Sequence, residues 1–307
     1  MERIPQCTSL TRLCIRIPIA IPDGADLRPP RLGRFGASLI QFAPALTHFD
    51  LPFEMNIPLD FITDIISSLP RLTHLRICTP QCGILPGGAP APAPPLAVPP
   101  NLHELEISVR HGAGLLFKWF LSHREPPVFT YLSLAGHVGD LSHLSLDYAI
   151  SPIDIYFRRF GAQIISLSLA FWVEEFARLF TLLYATYMVL IPPAATQAFE
   201  YRVFASTTQL QKLSLARQYT MTVPTTLRTL MQSSTHLSDL AIEVRTPSDP
   251  PLGCLDWAVI DALLASPHYE CLRHFSLTNW ISKKSILTAD FKLMMPQAAA
   301  RQILHHE

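Results

Sequence analysis

The chain contains 307 residues, of which 49% are hydrophobic, enough for one large or two ordinary domains with a sizeable core. Charged residues make up only 16%, and 24 basic residues balance 24 acidic ones, which argues against a general nucleic-acid-binding protein. The 28 prolines argue against long uninterrupted helices and against a smooth central sheet.

The N-terminal residues, Met1 to Cys7, have no basic segment followed by an apolar run, so a secretory signal is not expected. The six cysteines are then expected to be reduced thiols in an intracellular protein, either cytoplasmic or nuclear. The most apolar stretch, residues 176–191, contains Arg178 and is shorter than the ~20 residues that a membrane helix needs. We therefore expect no membrane association.

One short pattern of apolar residues recurs along the chain: apolar, two variable, apolar, one variable, apolar. Its last two apolar positions alternate as in a strand with one buried face. Successive copies mostly lie 23 to 30 residues apart, close to the about 20–29 residues of a leucine-rich repeat, in which each unit forms a strand and a helix or turn. The ten copies begin at Leu10, Leu46, Leu72, Leu102, Phe129, Leu141, Ile164, Leu210, Leu237 and Leu272.

Helix-like segments lie between these strands. Residues 60–69, 115–120 and 257–264 each place their apolar side chains on one helical face, and Asp256 is positioned as an N-cap. Each segment ends near a proline that precedes the next strand, namely Pro70, Pro126 and Pro267.

This alternation predicts an α/β fold, and specifically a leucine-rich-repeat solenoid with short parallel strands on its concave face and helices on its convex face. A doubly wound α/β fold is less consistent with the sequence, because the strands are very short and no glycine-rich phosphate loop follows them. We predict a single domain over residues 1–307. It has a proline-rich loop insertion at 79–100, extended or disordered, and a C-terminal tail or cap from about residue 281.

Two segments, Pro70–Ile77 and Pro100–Ile107, resemble the repeats of fungal F-box and leucine-rich-repeat proteins, and the resemblance covers most of residues 8–280. It implies a curved solenoid whose concave face holds a protein partner. In F-box members of that family, an N-terminal helical module docks the Skp adaptor of a cullin ubiquitin ligase, so a Skp-type adaptor is an implied partner if an F-box lies upstream.

The chain departs from this family pattern in two ways. The family's asparagine ladder would fall three residues beyond the last apolar position, and asparagine is absent from all ten of those sites. The segment Leu51-Pro52-Phe53-Glu54 matches the opening of the F-box motif, but Leu51 already belongs to a repeat and Pro58 interrupts the helix that should follow. The chain also begins almost inside a repeat, with little room for a cap, so we expect an N-terminal portion to be missing.

The spacing of the copies is irregular in two places. The interval from Leu132 to Leu144 is too short for a complete unit, whereas the 46 residues from Leu167 to Leu213 fit two units. We therefore predict a cryptic unit in the longer interval, with a helix over roughly 174–184, a strand over roughly 186–190 and a second helix before Leu210.

Four histidines occupy the repeat position just before the central apolar residue: His48, His74, His143 and His274. Histidines on neighbouring strands could bind a metal or respond to pH, because strands lie ~4.8 Å apart. A solvent-exposed consensus position is the favoured interpretation. A second arrangement, His74 with Cys78 and Cys82, lacks a further Cys or His pair, so we expect no structural metal and no cofactor.

Two other segments have alternative interpretations. The turn His111-Gly112-Ala113-Gly114 resembles the oxyanion loop of some esterases, but no Gly-x-Ser-x-Gly nucleophile segment accompanies it. In the proline-rich insertion, Pro92-x-x-Pro95 could be bound by an SH3 or WW domain, but no basic residue lies within the insertion to orient such a ligand.

We therefore predict a non-enzymatic protein-recognition scaffold, including the role of substrate-binding part of an F-box-like ubiquitin-ligase receptor that the resemblance implies. The alternative is an α/β hydrolase that uses the His111–Gly114 turn. The predicted binding residues point outward from the concave strands and carry both signs of charge, as expected for a protein-binding surface. They are His48, His74, Arg76, Glu104, Glu106, Tyr131, His143, Lys212, Asp239, Glu243 and His274.

Overall fold

The computed structural model describes eleven segments of the chain. They are residues 10–14, 45–52, 56–79, 82–86, 97–137, 151–172, 201–219, 223–232, 236–245, 255–279 and 291–304. The chain divides into two compact units, Met1–Ile153 and Asp154–Glu307. The prediction of one solenoid domain over residues 1–307 stays a prediction.

The first unit is an α/β structure built on parallel strands. Its strands are β1 (Arg12–Cys14), β2 (His48–Pro52), β3 (Ile57–Pro58), β4 (His74–Thr79), β5 (Ile84–Leu85), β6 (Glu104–Val109) and β7 (Tyr131–His137). Its helices are α1 (Leu59–Ser68) and α2 (Ala113–Leu121). Five strands form a parallel sheet in the order β1-β2-β4-β6-β7, and β3 pairs with β5 separately.

The second unit repeats this construction. It begins within α3 (Pro152–Phe160) and contains a 3-10 turn (Gly161–Gln163), β8 (Ser166–Trp172), helical residues 201–206, β9 (Lys212–Tyr219), α4 (Val223–Met231) and β10 (Asp239–Arg245). There follow α5 (Trp257–Leu264), a 3-10 turn (Pro267–Tyr269), β11 (His274–Asn279), α6 (Phe291–Met294) and α7 (Pro296–Ala300). Strands β8, β9, β10 and β11 are neighbours in that order, and their pairings are parallel.

The repeated apolar residues are aligned across each sheet, and this alignment builds the core. In the first unit the central column is Phe49, Leu75, Leu105 and Leu132. In the second unit it is Leu167, Leu213, Leu240 and Phe275. Each of these side chains is at most 2% exposed. The burial predicted for the last two apolar residues of each copy is confirmed on parallel strands for four copies. The residues are Leu75, Ile77, Leu105, Ile107, Leu213, Leu215, Leu240 and Ile242.

A shared hydrogen bond sets where each strand begins. The carbonyl of Thr11 accepts the amides of Thr47 and His48, both at 3.0 Å, and the carbonyl of Thr47 accepts the amides of Thr73 and His74 in the same way. We call the acceptor, two residues before each central apolar residue, the strand-entry carbonyl. The same double acceptance occurs at Thr73, His103, Ile165, Gln211 and Ser238.

Hydroxyl groups reinforce this ladder. The side chains of Thr47, Thr73, Thr130 and Ser238 each donate to the strand-entry carbonyl of the preceding strand, over 3.0 to 3.4 Å. These strands lack the asparagine ladder at the end where each strand finishes. Hydrogen bonds from threonine and serine link the strands instead at the end where each strand begins. This role of the hydroxyl groups was not predicted from the sequence, although threonine stands at that position in four copies, Thr11, Thr47, Thr73 and Thr130.

The three predicted helical segments are confirmed. Helix α1 starts directly after Pro58, whose extended backbone suits the position before a helix, and it buries Phe61, Ile62, Ile65 and Ile66. Helix α5 starts after Asp256, whose carboxylate accepts the amide of Val259 at 3.1 Å. These buried faces explain why short helices with few capping groups are stable here.

The predicted cryptic unit between Leu167 and Leu213 is wrong as a strand of the sheet. Strand β8 pairs directly with β9, with Leu167 opposite Leu213, so no strand lies between them. The part of the connection that the structure describes begins at residue 201, and residues 201–206 are helical, which confirms the helix predicted before Leu210. Residues 174–190 and the copy that begins at Leu141 lie outside them.

Part of the proline-rich insertion is well packed rather than irregular. Residues 84–85 pair with β3, and Ile84 is 1% exposed. The amide of Ile84 donates to the carbonyl of His111 at 2.9 Å, and the amide of Gly83 donates to the Asn56 side chain at 2.8 Å. The first residues of the insertion are therefore held between the start of α1 and the turn before α2.

The C-terminal segment is hydrogen-bonded to helix α5 and to the 3-10 turn that follows it. The buried carboxylate of Asp261 on α5 accepts the amides of Gln297 and Ala298 at 3.1 and 2.8 Å. The guanidinium of Arg301 donates to the carbonyls of Leu264 and Tyr269. These contacts cover apolar residues at this end of the second unit. In the part of the chain that the structure describes, no helix is both long enough and apolar enough to cross a lipid bilayer.

Replacing Leu105 with alanine removes a side chain that is fully buried in the central column. We expect a loss of about 2–5 kcal/mol in the free energy of unfolding, because a cavity is left among packed neighbours. Chemical denaturation followed by circular dichroism measures it. Leu293→Ala, at a site 85% exposed, serves as the control and should change stability by less than about 0.5 kcal/mol. Equal stability of Leu105→Ala and the native protein would contradict the assigned register.

Replacing Gly112 with alanine should also destabilise the first unit. Gly112 has a φ of +87°, and an added Cβ would lie 2.0 Å from the carbonyl oxygen of Ile84. We expect a loss of more than about 1 kcal/mol, since the left-handed backbone alone has roughly that cost for other residues. Thermal unfolding is the measurement, with Lys118→Ala at an exposed site of α2 as the control. A melting temperature unchanged by Gly112→Ala would show that the insertion does not pack on this turn.

Candidate functional site

The candidate site is the half-exposed side of the sheet in the first unit, opposite the core, which we call the polar face. Because the strands are parallel and in register, its side chains form rows across the strands. The first row contains Arg12, His48, His74, Glu104 and Tyr131. The second row contains Cys14, Asp50, Arg76, Glu106 and Ser133. Every predicted binding residue of this unit that the structure describes lies on these two rows.

Two histidines at the centre of the first row are stacked. The ring centroids of His48 and His74 are 5.4 Å apart, with an interplanar angle of 20°. Nδ1 of His74 lies 2.8 Å from a carboxylate oxygen of Glu104, whose side chain is 40% exposed. The shared repeat position predicted that histidines of successive repeats are neighbours, and this is confirmed for His48 and His74.

The tautomer of neutral His48 can be assigned from the hydrogen bonds of Thr47. The hydroxyl of Thr47 donates its single hydrogen to the carbonyl of Thr11 at 3.1 Å, so it accepts from Nδ1 of His48 at 2.9 Å. In the neutral ring, Nε2 is then the basic nitrogen. Burial lowers the pKa of His48 below its ordinary value, and the positive charges of Arg12 and of a protonated His74 lower this pKa further.

The second row is organised by an ion pair. Nε of Arg76 lies 3.2 Å from a carboxylate oxygen of Glu106. Burial raises the pKa of Tyr131, and the neighbouring carboxylate of Glu106, with which Tyr131 shares a hydrogen bond, raises this pKa further. Glu106 therefore connects Arg76 and Tyr131 in one hydrogen-bond network. Glu104, on the same strand β6, binds His74.

The second unit carries the remaining described candidates on a face of its own. Lys212, Asp239 and His274 are aligned in one row, and Nε2 of His274 lies 4.0 Å from a carboxylate oxygen of Asp239. Glu243 stands two rows further along β10. The rows between and beside them are filled by small residues, Ser166, Ser168, Ser214, Ala216, Ala241 and Ser276. His143 lies outside the described residues.

The turn proposed as an oxyanion loop is engaged in packing. The carbonyl of His111 accepts the amide of Ile84, and Gly112 lies against the Ile84 backbone. The ring of His111 lies beside Gly83. These contacts explain the glycine at 112 through backbone conformation and close approach. They give no support to a catalytic use of the turn.

The described residues contain no cluster of three or more histidine, cysteine or acidic side chains in metal-binding geometry. His74 and Cys78 lie on the same strand β4, and His74 directs Nδ1 to Glu104 rather than toward a cysteine.

The first unit also contains a cleft that was not predicted from the sequence. A groove of about 1120 Å³ lies between the end of the insertion and the loop after α2. Its walls include Pro99, His103, Trp119, His123 and Pro126. Trp119 and His123 contact each other edge to face, with centroids 4.7 Å apart. The groove depends on how two distant loops pack, so no local pattern could have indicated it.

Comparison with known proteins adds no assignment to this geometry. No protein-family profile matches the chain, and no curated protein has significant sequence similarity to it.

Proposed function

We propose that the chain is a divergent leucine-rich-repeat solenoid that acts as a non-enzymatic protein-recognition scaffold, with the polar face of the first unit as its binding surface. One observation carries this proposal: side chains from five neighbouring strands form two rows of mostly charged, histidine and tyrosine groups on the side of the sheet that faces away from the core. A partner that lies across the strands would contact every row.

The polar face has the properties of a recognition surface rather than of a stabilising one. Arg76 is 51% exposed and Glu106 is 28% exposed, so their ion pair contributes only about 0–1 kcal/mol to folding. The pair nevertheless holds both side chains in defined positions. Pre-positioned charged groups lose less conformational entropy when a partner binds, which favours affinity and specificity.

We further propose that the scaffold is the substrate-binding part of an F-box-like ubiquitin-ligase receptor. The support is the resemblance of residues 70–77 and 100–107 to fungal F-box and leucine-rich-repeat proteins. A Skp-type adaptor is the partner that this proposal requires, through an F-box upstream of the solenoid. Co-purification of the gene's full product with such an adaptor is the test, and its absence from the purified complex would contradict this part of the proposal.

Exchanging the charges of the central ion pair tests the binding surface. In Arg76→Glu/Glu106→Lys the two groups can still pair, so we expect native circular dichroism and thermal stability. A partner recovered from the native cell by pulldown and mass spectrometry should bind this variant at least about tenfold more weakly, because charges that met complementary groups now meet like charges. Isothermal titration calorimetry with the recovered partner measures the change.

A matched exchange provides the control. Arg124→Glu/Glu125→Lys inverts two exposed charges of the same unit that lie off the polar face, on the rim of the groove. This variant should bind as the native protein does. Retained binding by the first variant would contradict the polar face as the recognition surface. Loss of binding in the control, or after deletion of residues 87–96, would instead assign recognition to the groove or to the insertion.

A further inference from the structure

The stacked histidines lie in the middle of a charged surface, and every strand of the sheet contributes a group that faces them. Arg12 on β1 adjoins His48, and Asp50 and Arg76 follow in the second row of β2 and β4. Glu104 and Glu106 on β6, with Tyr131 on β7, close the other side. His103, just before β6, has Nε2 at 3.7 Å from Glu104. Apart from the histidines, three carboxylates face two guanidinium groups, a formal charge of −1.

Acidification changes the sign of this charge. His48 uses Nδ1–H to donate to Thr47, so an added proton binds Nε2 and creates a cation between Arg12 and the ring of His74. His74 directs Nδ1 to Glu104, so a proton on its Nε2 turns that contact into an ion pair and locally neutralises the carboxylate. Protonation of both rings takes the face from −1 to +1.

We propose that the polar face binds a lysine- or arginine-bearing segment of a protein partner at neutral pH and releases it on acidification, with the stacked His48 and His74 as the switch. This inference rests on the proposed function, because it names the partner's chemistry and the regulation of the same surface. Histidine is the side chain whose charge ordinarily changes between pH 5 and 8, and burial lowers the pKa of His48 below its ordinary value.

Charge complementarity identifies the occupant. The two glutamates of β6 lie in adjacent rows of the face, and each can accept more hydrogen bonds than its neighbours donate, since a carboxylate has about four acceptor positions. An ammonium or guanidinium group placed over β6 would contact both. An acidic segment would meet three carboxylates at neutral pH. When His48 and His74 are protonated, the face gains two positive charges, one beside Arg12 and one paired with Glu104, and both oppose binding of the basic segment.

The test uses a fluorescein-labelled peptide of five Lys-Ser repeats, with fluorescence anisotropy at pH 7.5 and at pH 5.5 in about 20 mM salt, where screening is weak. The native protein should bind this peptide at pH 7.5 and at least about tenfold more weakly at pH 5.5. Glu104→Gln/Glu106→Gln should lose the binding at pH 7.5. In His48→Gln/His74→Gln, the ratio between the affinities at pH 7.5 and pH 5.5 should be clearly smaller than in the native protein, while His103 beside Glu104 stays in place.

A matched variant separates the switch from the general effect of acid. His236→Gln/His268→Gln removes two exposed histidines of the second unit and should keep the native pH dependence. Circular dichroism at both pH values checks that each variant is folded. If the double histidine variant does not fold, the single variant His48→Gln replaces it, and its pH response should be smaller than that of the native protein. Equal binding of the native protein at both pH values, binding that survives removal of the two glutamates, or no binding at pH 7.5 would each overturn the inference.

These outcomes are independent of the test of the proposed function. Suppose that the Arg76→Glu/Glu106→Lys exchange abolishes binding of the native partner while the Lys-Ser peptide shows no pH response. The polar face is then supported as the binding surface, and the histidine switch is refuted. If the exchange leaves native-partner binding intact, the recognition surface itself is refuted.

Discussion

The structure depends on the strand-entry carbonyl, which fixes where each strand begins relative to the one before it. Thr47 illustrates the device: its carbonyl accepts two consecutive amides of the next strand, while its own amide and hydroxyl bond to the carbonyl of Thr11. A slip of one residue would break these bonds and move every leucine of the strand to the opposite face. The same contact therefore determines both the core and the polar face.

This common origin separates stability from recognition. The aligned leucines of the core are buried and supply the hydrophobic free energy of folding. The charged side chains of the polar face stay partly exposed and add little to stability. The apolar core residues can therefore stay the same while the side chains of the polar face change. Such a surface can be adapted to a partner without loss of the fold.

Periodicity predicted the parts of the structure that local sequence determines. The alternation of Leu75 and Ile77 predicted burial, and the position of His48 and His74 in the repeat predicted that they would be neighbours. Spacing misled in the interval from Leu167 to Leu213, because the length of a connection does not determine which strands pair. The packing of Ile84 against Gly112 and the bonds from Asp261 to the C-terminal segment join residues far apart in sequence. Neither has a local pattern by which it could have been predicted. The stacking and hydrogen bonding that connect the histidines to Glu104 likewise needed coordinates, since the sequence defines neighbours but not ring orientation.

The register of the polar face is the central claim, and disulfide trapping tests it most directly. In a background with the native cysteines replaced by serine, Arg76→Cys/Glu106→Cys places thiols on residues whose Cα atoms are register partners, about 4.8 Å apart across the strands. Arg76→Cys/Glu104→Cys offsets them by two residues, to about 8 Å, which is too far for a disulfide. Under mild oxidation, mass spectrometry should show a disulfide in the first variant and free thiols in the second. A disulfide in the offset variant, with the in-register variant folded but still reduced, would contradict the register on which the core, the polar face and the proposed recognition all depend.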